Sequence, residues 1–256
     1  MHDFSFSNIF KVAFNTFIKN FTDIFVLSVL SVSAVLVLSL FLNSVFLGSV
    51  NFMMDGALSA DAAGNAGGAN PFILFSVYIC LVLVFVFLLV FCLFSVFLPL
   101  CKGAGMKLKN YFPSLTALLK FLAVAAAAVL FFEIVITVFP AAAKAVSGGD
   151  GYSVGVLAIS VVSFALIAGF VVFALKYGLF FLPLLEKAGL KEAFKKSGTL
   201  TYNCRMKIFV LAGILFLINF FAKYLIFLLL VTVPFSVLVI IYAYLELSGA
   251  EFAGNK

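Results

Sequence analysis

An all-α bundle of six membrane-crossing helices is the architecture this sequence predicts, on three observations. The first is a set of long apolar runs. Residues 24–54, 62–101, 151–175 and 224–245 hold no Asp, Glu, Lys or Arg, and 121–139 holds only Glu133. A hydrocarbon core takes roughly 20 apolar residues per helix, so such runs read as spans. The second is composition: 66% hydrophobic and 10% charged residues, with mean hydropathy +1.30, where a soluble domain carries about 25% charged. The third is the placement of charge, which lies between the runs.

The spans follow in order at about 24–48, 72–100, 115–139 and 153–183, with two more inside 208–247. That last stretch of about 40 residues would make a helix of about 60 Å, twice the hydrocarbon thickness, so it must turn. Asn219 to Lys223 offers the polar break, leaving a short fifth span and a longer sixth with Pro234 inside it. Pro99, Pro183 and Pro234 are candidate helix-bending positions, the first two at the exits of spans two and four.

Residues 1–23 precede this membrane domain (24–247), and a tail of 248–256 follows it. The opening is not a cleavable signal, because its apolar stretch is too long and no small-x-small site follows. Phe6, Phe10, Phe14, Phe17 and Phe21 recur at helical spacing, with Ser7, Lys11, Asn15, Lys19 and Asn20 on the other side. That pattern predicts an amphipathic helix over 4–21, lying in the membrane interface or packed on the bundle's inner end, with Ser5 or Ser7 as its cap.

Orientation follows from the basic residues. Lys11, Lys19, Lys102, Lys107, Lys109, Lys187, Lys191, Lys195, Lys196, Arg205, Lys207 and Lys256 fall on one side of a six-span arrangement. Only Lys144 and Lys223 fall on the other, while Lys120 and Lys176 can snorkel from span ends. Both termini are therefore expected in the cytoplasm. Seven of the eight tyrosines (111, 152, 177, 202, 224, 242 and 244) sit near span ends, where a ring with a polar tip is at home.

The exits of spans two and four rhyme. Phe97-Leu-Pro-Leu-Cys-Lys-Gly-Ala-Gly-Met-Lys107 aligns without a gap to Phe181-Leu-Pro-Leu-Leu-Glu-Lys-Ala-Gly-Leu-Lys191, identical at seven of eleven positions. Tyr244-Leu-Glu-Leu-Ser-Gly-Ala250 is a fainter echo. Three hairpin units of one orientation are the expectation, each an amphipathic segment, a span out and a span back.

Phe181-Leu-Pro-Leu, Gly189-Leu-Lys-Glu-Ala-Phe-Lys-Lys-Ser197 and Thr201-Tyr-Asn203, with Val231-Thr-Val-Pro-Phe-Ser236 and Tyr242-Ala-Tyr-Leu-Glu246, resemble bacterial multi-span proteins related to the membrane domain of glycerophosphoryl diester phosphodiesterases. The resemblance implies a six-helix membrane domain in a bacterial cytoplasmic (inner) membrane. In the family's namesakes the hydrolase is a separate attached domain; here the chain stops nine residues after Leu247, so no phosphodiesterase activity is implied.

Few residues offer chemistry. The single histidine, His2, leaves no His-based metal site or triad, and no P-loop, GxGxxG or HExxH occurs. Cys80, Cys92, Cys101 and Cys204 show no CxxC spacing and read as reduced small hydrophobes. No catalytic residue, cofactor or metal is expected. Glu133 is the suggestive exception, about six residues (roughly 9 Å) from the outer end of span three. A charge at that depth is costly unless paired. Lys223 and Lys144 are its candidate partners, and a substrate or proton site is the alternative. Lys187, Lys191, Lys195, Lys196, Arg205 and Lys207 are candidate anionic-lipid contacts, or ordinary positive-inside topology. Ser197 and Asn203 are candidate helix caps nearby.

Two functions remain. One is a non-enzymatic scaffold, assembly or lipid-associated accessory protein, with membrane lipids and other membrane subunits as partners and no nucleic acid. The other is a small transporter or lipid-handling channel. A polar cavity at mid-membrane favours the transporter, and a dry, Phe-filled interior favours the scaffold.

Overall fold

A computed structural model describes residues 4–34, 36–37, 40–41, 44, 71–104, 113–133, 135, 154–222 and 224–249, without the side chains of 71–79, 132–133, 154–158 and 226. Among the described residues every regular element is a helix. In chain order they are α1 (Phe6–Lys19), α2 (Phe21–Ala34), α3 (Pro71–Cys101), α4 (Leu115–Glu133), α5 (Val154–Tyr177), α6 (Phe181–Leu185), α7 (Leu190–Thr201), α8 (Arg205–Ala222) and α9 (Ile226–Ser248).

The opening helix starts where a cap is available. Ser5 has extended backbone and its Oγ accepts from Asn8 N at 3.4 Å, satisfying one orphan amide of the first turn. Lys19 complements the dipole in the last turn. The axis then turns by 87° into α2. The Phe stripe divides: Phe6, Phe10 and Phe17 pack on the bundle, whereas Phe14 and Phe21 face outward. Phe14, Ile18, Phe21 and Phe25 form an exposed apolar line that follows the chain around that corner.

Among the described residues four helices are long and apolar enough to cross a membrane: Cys80–Cys101, Ile159–Tyr177, Arg205–Ala222 and Phe227–Ser248. The bent pair α1–α2 makes a fifth if taken as one span, and Leu115–Phe131 is apolar but shorter. One expected boundary moves. The fourth apolar helix stops at Tyr177 rather than 183, because Gly178 to Phe180 form a turn and Pro183 opens out into the separate short helix α6. A Cβ on Gly178 would collide with the Ala174 carbonyl oxygen, so this stop requires glycine. The break between α8 and α9 falls after Ala222, within the expected segment Asn219 to Lys223, while Asn219 itself stays helical and donates to Leu215 O (2.8 Å) and Ser236 Oγ (2.8 Å).

Three helix ends share one stop. Gly103 has φ +82°, Lys187 +70° and Gly249 +65°, the positive-φ positions among the described residues. Gly103 N donates to Leu100 O and Ala104 N to Pro99 O, each at 3.0 Å. Lys187 N to Leu184 O and Ala188 N to Pro183 O repeat both bonds, again at 3.0 Å. This is the Schellman arrangement, which satisfies carbonyls that the last turn leaves free. Pro99 and Pro183 thus sit in last turns, where their carbonyls receive the closing bond. Gly249 N to Glu246 O (3.3 Å) is the counterpart after α9.

Helices α3 and α9 form the centre. Helix α9 packs on α1, α3, α7 and α8, while α3 also packs on α4 and α6. The densest core lies where α1, α6 and the ends of α3 and α9 converge, around Ile9, Ala13, Phe97, Leu182, Tyr242 and Tyr244. No residue in the apolar window of α5 is buried. Phe164 and Val172 there, and Phe216 and Phe221 on α8, are exposed. Apolar surface this continuous needs an apolar surrounding.

Candidate functional site

At the end of the bundle the chain gathers one charged cluster. Glu186, in the turn after α6, receives Lys102 Nζ at 2.6 Å and Lys196 Nζ at 2.9 Å. The Tyr244 hydroxyl donates to its Oε2 at 2.6 Å. The Schellman stops of α3 and α6 put Lys102 and Glu186 just past two adjacent helix ends, and α7 and α9 supply Lys196 and the buried Tyr244. The Lys196 ammonium also lies 5.6 Å from the Tyr244 ring centroid. Burial opposes the charge on Glu186, but the hydrogen bonds from Lys102, Tyr244 and Lys196 outweigh it, and the carboxyl falls to about 2. The same hydrogen bond raises the Lys196 ammonium.

A second charged contact ties down the start of α1. Glu246 Oε1 accepts from Ser5 N at 2.9 Å, and Lys207 Nζ approaches Phe4 O at 3.4 Å. Thr16 and Tyr242 share a hydroxyl–hydroxyl bond of 2.6 Å.

Between α3, α4, α5 and α6 lies a cavity of about 610 Å³, walled by side chains such as Phe87, Phe91, Phe121, Val129, Phe170 and Phe173. Its rings are ordered. Phe91 stacks on Phe121 (centroids 4.2 Å), Phe121 on Phe180 (6.3 Å) and Phe180 on Phe194 (4.7 Å), forming a column from α3 to α7. Ring pairs of this kind add about 0.5–1.5 kcal/mol beyond the area they bury. Among the described residues no charged side chain lines the cavity.

A polar seam crosses the α8–α9 contact. Asn219 reaches Ser236, while Asn219 Oδ1 and Thr232 Oγ1 are buried with no partner among the described residues.

Of the basic residues singled out by sequence, Lys187, Lys191, Lys195 and Lys207 are exposed. Lys196 is committed to Glu186, and Arg205 lies over the Tyr202 ring at 5.2 Å with its Nε buried and without a partner among the described residues. Ser197 does not cap a helix: it is buried inside α7 and donates to Lys176 O at 3.4 Å, beside Thr201 at 2.8 Å. The side chain of Glu133, and Lys144 and Lys223 entirely, lie outside the described residues. Glu186 and Lys102 are what the sequence reading missed as a site. The signal was present, because they occupy the same place in the two aligned exits with opposite charge. No group of three His, Cys, Asp or Glu poised to hold a metal occurs among the described residues.

These features define an all-helical protein with several helices suited to a membrane. Comparison with protein-family models, curated proteins and solved structures gives no match.

Proposed function

We propose that this chain is a non-enzymatic integral membrane protein of the bacterial cytoplasmic membrane, a scaffold or assembly subunit that associates with lipid. It crosses six times, with both termini in the cytoplasm, and is built from three hairpin units related to the membrane domain of glycerophosphoryl diester phosphodiesterases. The carrying observation is the Phe-lined cavity of about 610 Å³, with no charged side chain among the described residues of its wall. A solute path through a membrane needs polar groups to replace hydration, whereas this interior suits acyl chains. The common stop after α3, α6 and α9 supports the three units, and exposed Lys187, Lys191 and Lys195 support an inner face turned toward anionic headgroups. The apolar faces of α5 and α8 suit lipid or other membrane subunits.

The second reading, a small transporter or lipid-handling channel, is favoured by the α8–α9 seam with its two unpartnered polar atoms. Purified protein in proteoliposomes separates the two. The scaffold reading expects co-purified lipid and no protein-dependent flux of lipid or solute; saturable flux lost in Asn219→Leu would replace it with the transporter. Orientation is tested in a cysteine-depleted chain. Lys144→Cys should label from outside intact cells and Thr199→Cys only after permeabilisation, and the reverse pattern would invert the topology.

A further inference from the structure

Beside α1 runs a second cleft, of about 480 Å³, and its chemistry is opposite to that of the Phe-lined cavity. Lys11, Asn15 and Lys19 form one wall, Asn8 stands at one end, and Gly103 and Tyr242 close the other side. No carboxylate lines it among the described residues. Lys11, Asn15 and Lys19 are exposed, and their side chains make no hydrogen bond or ion pair with other described residues. The opposite wall is fixed, since Tyr242 is buried and bonded to Thr16, and Gly103 closes α3.

Position along the helix sets the scale. Lys11 and Lys19 are eight residues apart, about 12 Å along α1, with Asn15 midway. Two ammonium groups and an amide at that spacing suit a phosphodiester and its polar substituent. On the next flank of the same helix Phe14 and Ile18 are exposed and continue into Phe21 and Phe25 of α2. An apolar strip beside a cationic cleft is the pattern of a helix lying at the acyl–headgroup boundary.

We propose that the cleft beside α1 binds the phosphodiester headgroup of an anionic phospholipid, whose acyl chains run along Phe14, Ile18, Phe21 and Phe25. The site rests on the membrane-embedded, lipid-associated reading above and is separate from the basic stretch after α6. Lys11 and Lys19 supply charge, and Asn8 and Asn15 supply neutral donors that set orientation.

The test uses the full chain purified in detergent, stripped, and exchanged into nanodiscs of phosphatidylcholine with or without phosphatidylglycerol. Retained lipid is counted by native mass spectrometry. Wild type should keep phosphatidylglycerol over phosphatidylcholine, and Lys11→Gln/Lys19→Gln should weaken this roughly thirtyfold, since each lysine acts near the surface. Lys11→Arg/Lys19→Arg should retain it. Asn15→Asp, an exposed change that only adds a negative charge, should weaken it too. Unchanged retention in both Lys11→Gln/Lys19→Gln and Asn15→Asp overturns the site. If Lys187→Gln/Lys191→Gln/Lys195→Gln alone abolishes retention, the headgroup site falls while the lipid-associated reading stands. Displacement of phosphatidylglycerol by inorganic phosphate would assign the cleft to a free anion and overturn the lipid. A wild-type chain that stays soluble without detergent removes the parent reading.

Discussion

Lys102 and Glu186 occupy the same place in two copies of one helix-exit motif and are bound to each other at 2.6 Å. Each lies one residue before a positive-φ position, Gly103 or Lys187, so the two stops present them at equivalent points. The charge reversal between the copies turns a repeated stop into a clasp between α3 and α6. Lys196 and Tyr244 extend it to α7 and α9.

Glu186→Gln removes the charge that three donors share, and should destabilise the protein by about 2 kcal/mol, as for charge-assisted hydrogen bonds. Thermal unfolding in detergent reads it. The exchange Lys102→Glu/Glu186→Lys should recover only part of the loss, because Lys196 then faces a cation. An unchanged Tm in Glu186→Gln would show the clasp to be energetically idle.

The same cluster sets a pH dependence. The Glu186 carboxyl is lowered from 4.5 to about 2, so its contribution is full above about pH 4.5 and is lost as pH falls toward 2. Lys196 is raised, so its contribution holds through neutral pH and fades only in strong alkali. The Tm difference between wild type and Glu186→Gln should therefore stay constant from neutral pH to about 4.5 and shrink below it. A difference that grows on acidification would contradict the assignment.

Lys187 is the non-glycine residue at a position where the two equivalent stops use Gly103 and Gly249. A left-handed conformation costs an L-residue about 1–2 kcal/mol. Lys187→Gly should raise stability by about 1 kcal/mol after the added chain entropy is subtracted, and Gly249→Ala should lower it by a similar amount. Chemical denaturation of the two variants gives opposite signs if the stops are as described.

Helix α1 is held by Ser5 N on Glu246 and by Thr16 on Tyr242. Tyr242→Phe and Glu246→Ala should each cost about 1 kcal/mol locally. Hydrogen exchange across 6–19 should accelerate in both variants, with α3 and α9 unaffected. Equal acceleration throughout the bundle would mean that α1 is not a separately opening unit.

The helices were legible because a charge-free apolar run admits few structures in a bilayer. The run at 72–100 appears as Pro71–Cys101, and 208–247 divides into Arg205–Ala222 and Ile226–Ser248 with Pro234 inside the second. Even the start of α1 at Ser5 follows from local hydrogen bonding. The end of the fourth apolar helix was not legible. An apolar pattern continues through Phe180 to Pro183, and only the close approach of Gly178 to Ala174 shows that the helix has already stopped.

By itself the sequence determined the main helices and their fitness for a membrane, because burial of backbone polar groups in hydrocarbon is decided residue by residue along one segment. It could also place six cations together between two runs. Only the tertiary structure decided which of the chain's cations are spent and which remain available. Lys196 is taken by Glu186 across 10 residues of sequence and Lys102 by the same carboxylate across 84, while Lys11 and Lys19, ordinary members of an amphipathic pattern, come to face Tyr242 and Gly103. Pairing over such separations depends on how helices pack, and apolar packing surfaces of Phe, Leu and Val carry little in their order that fixes one register over another.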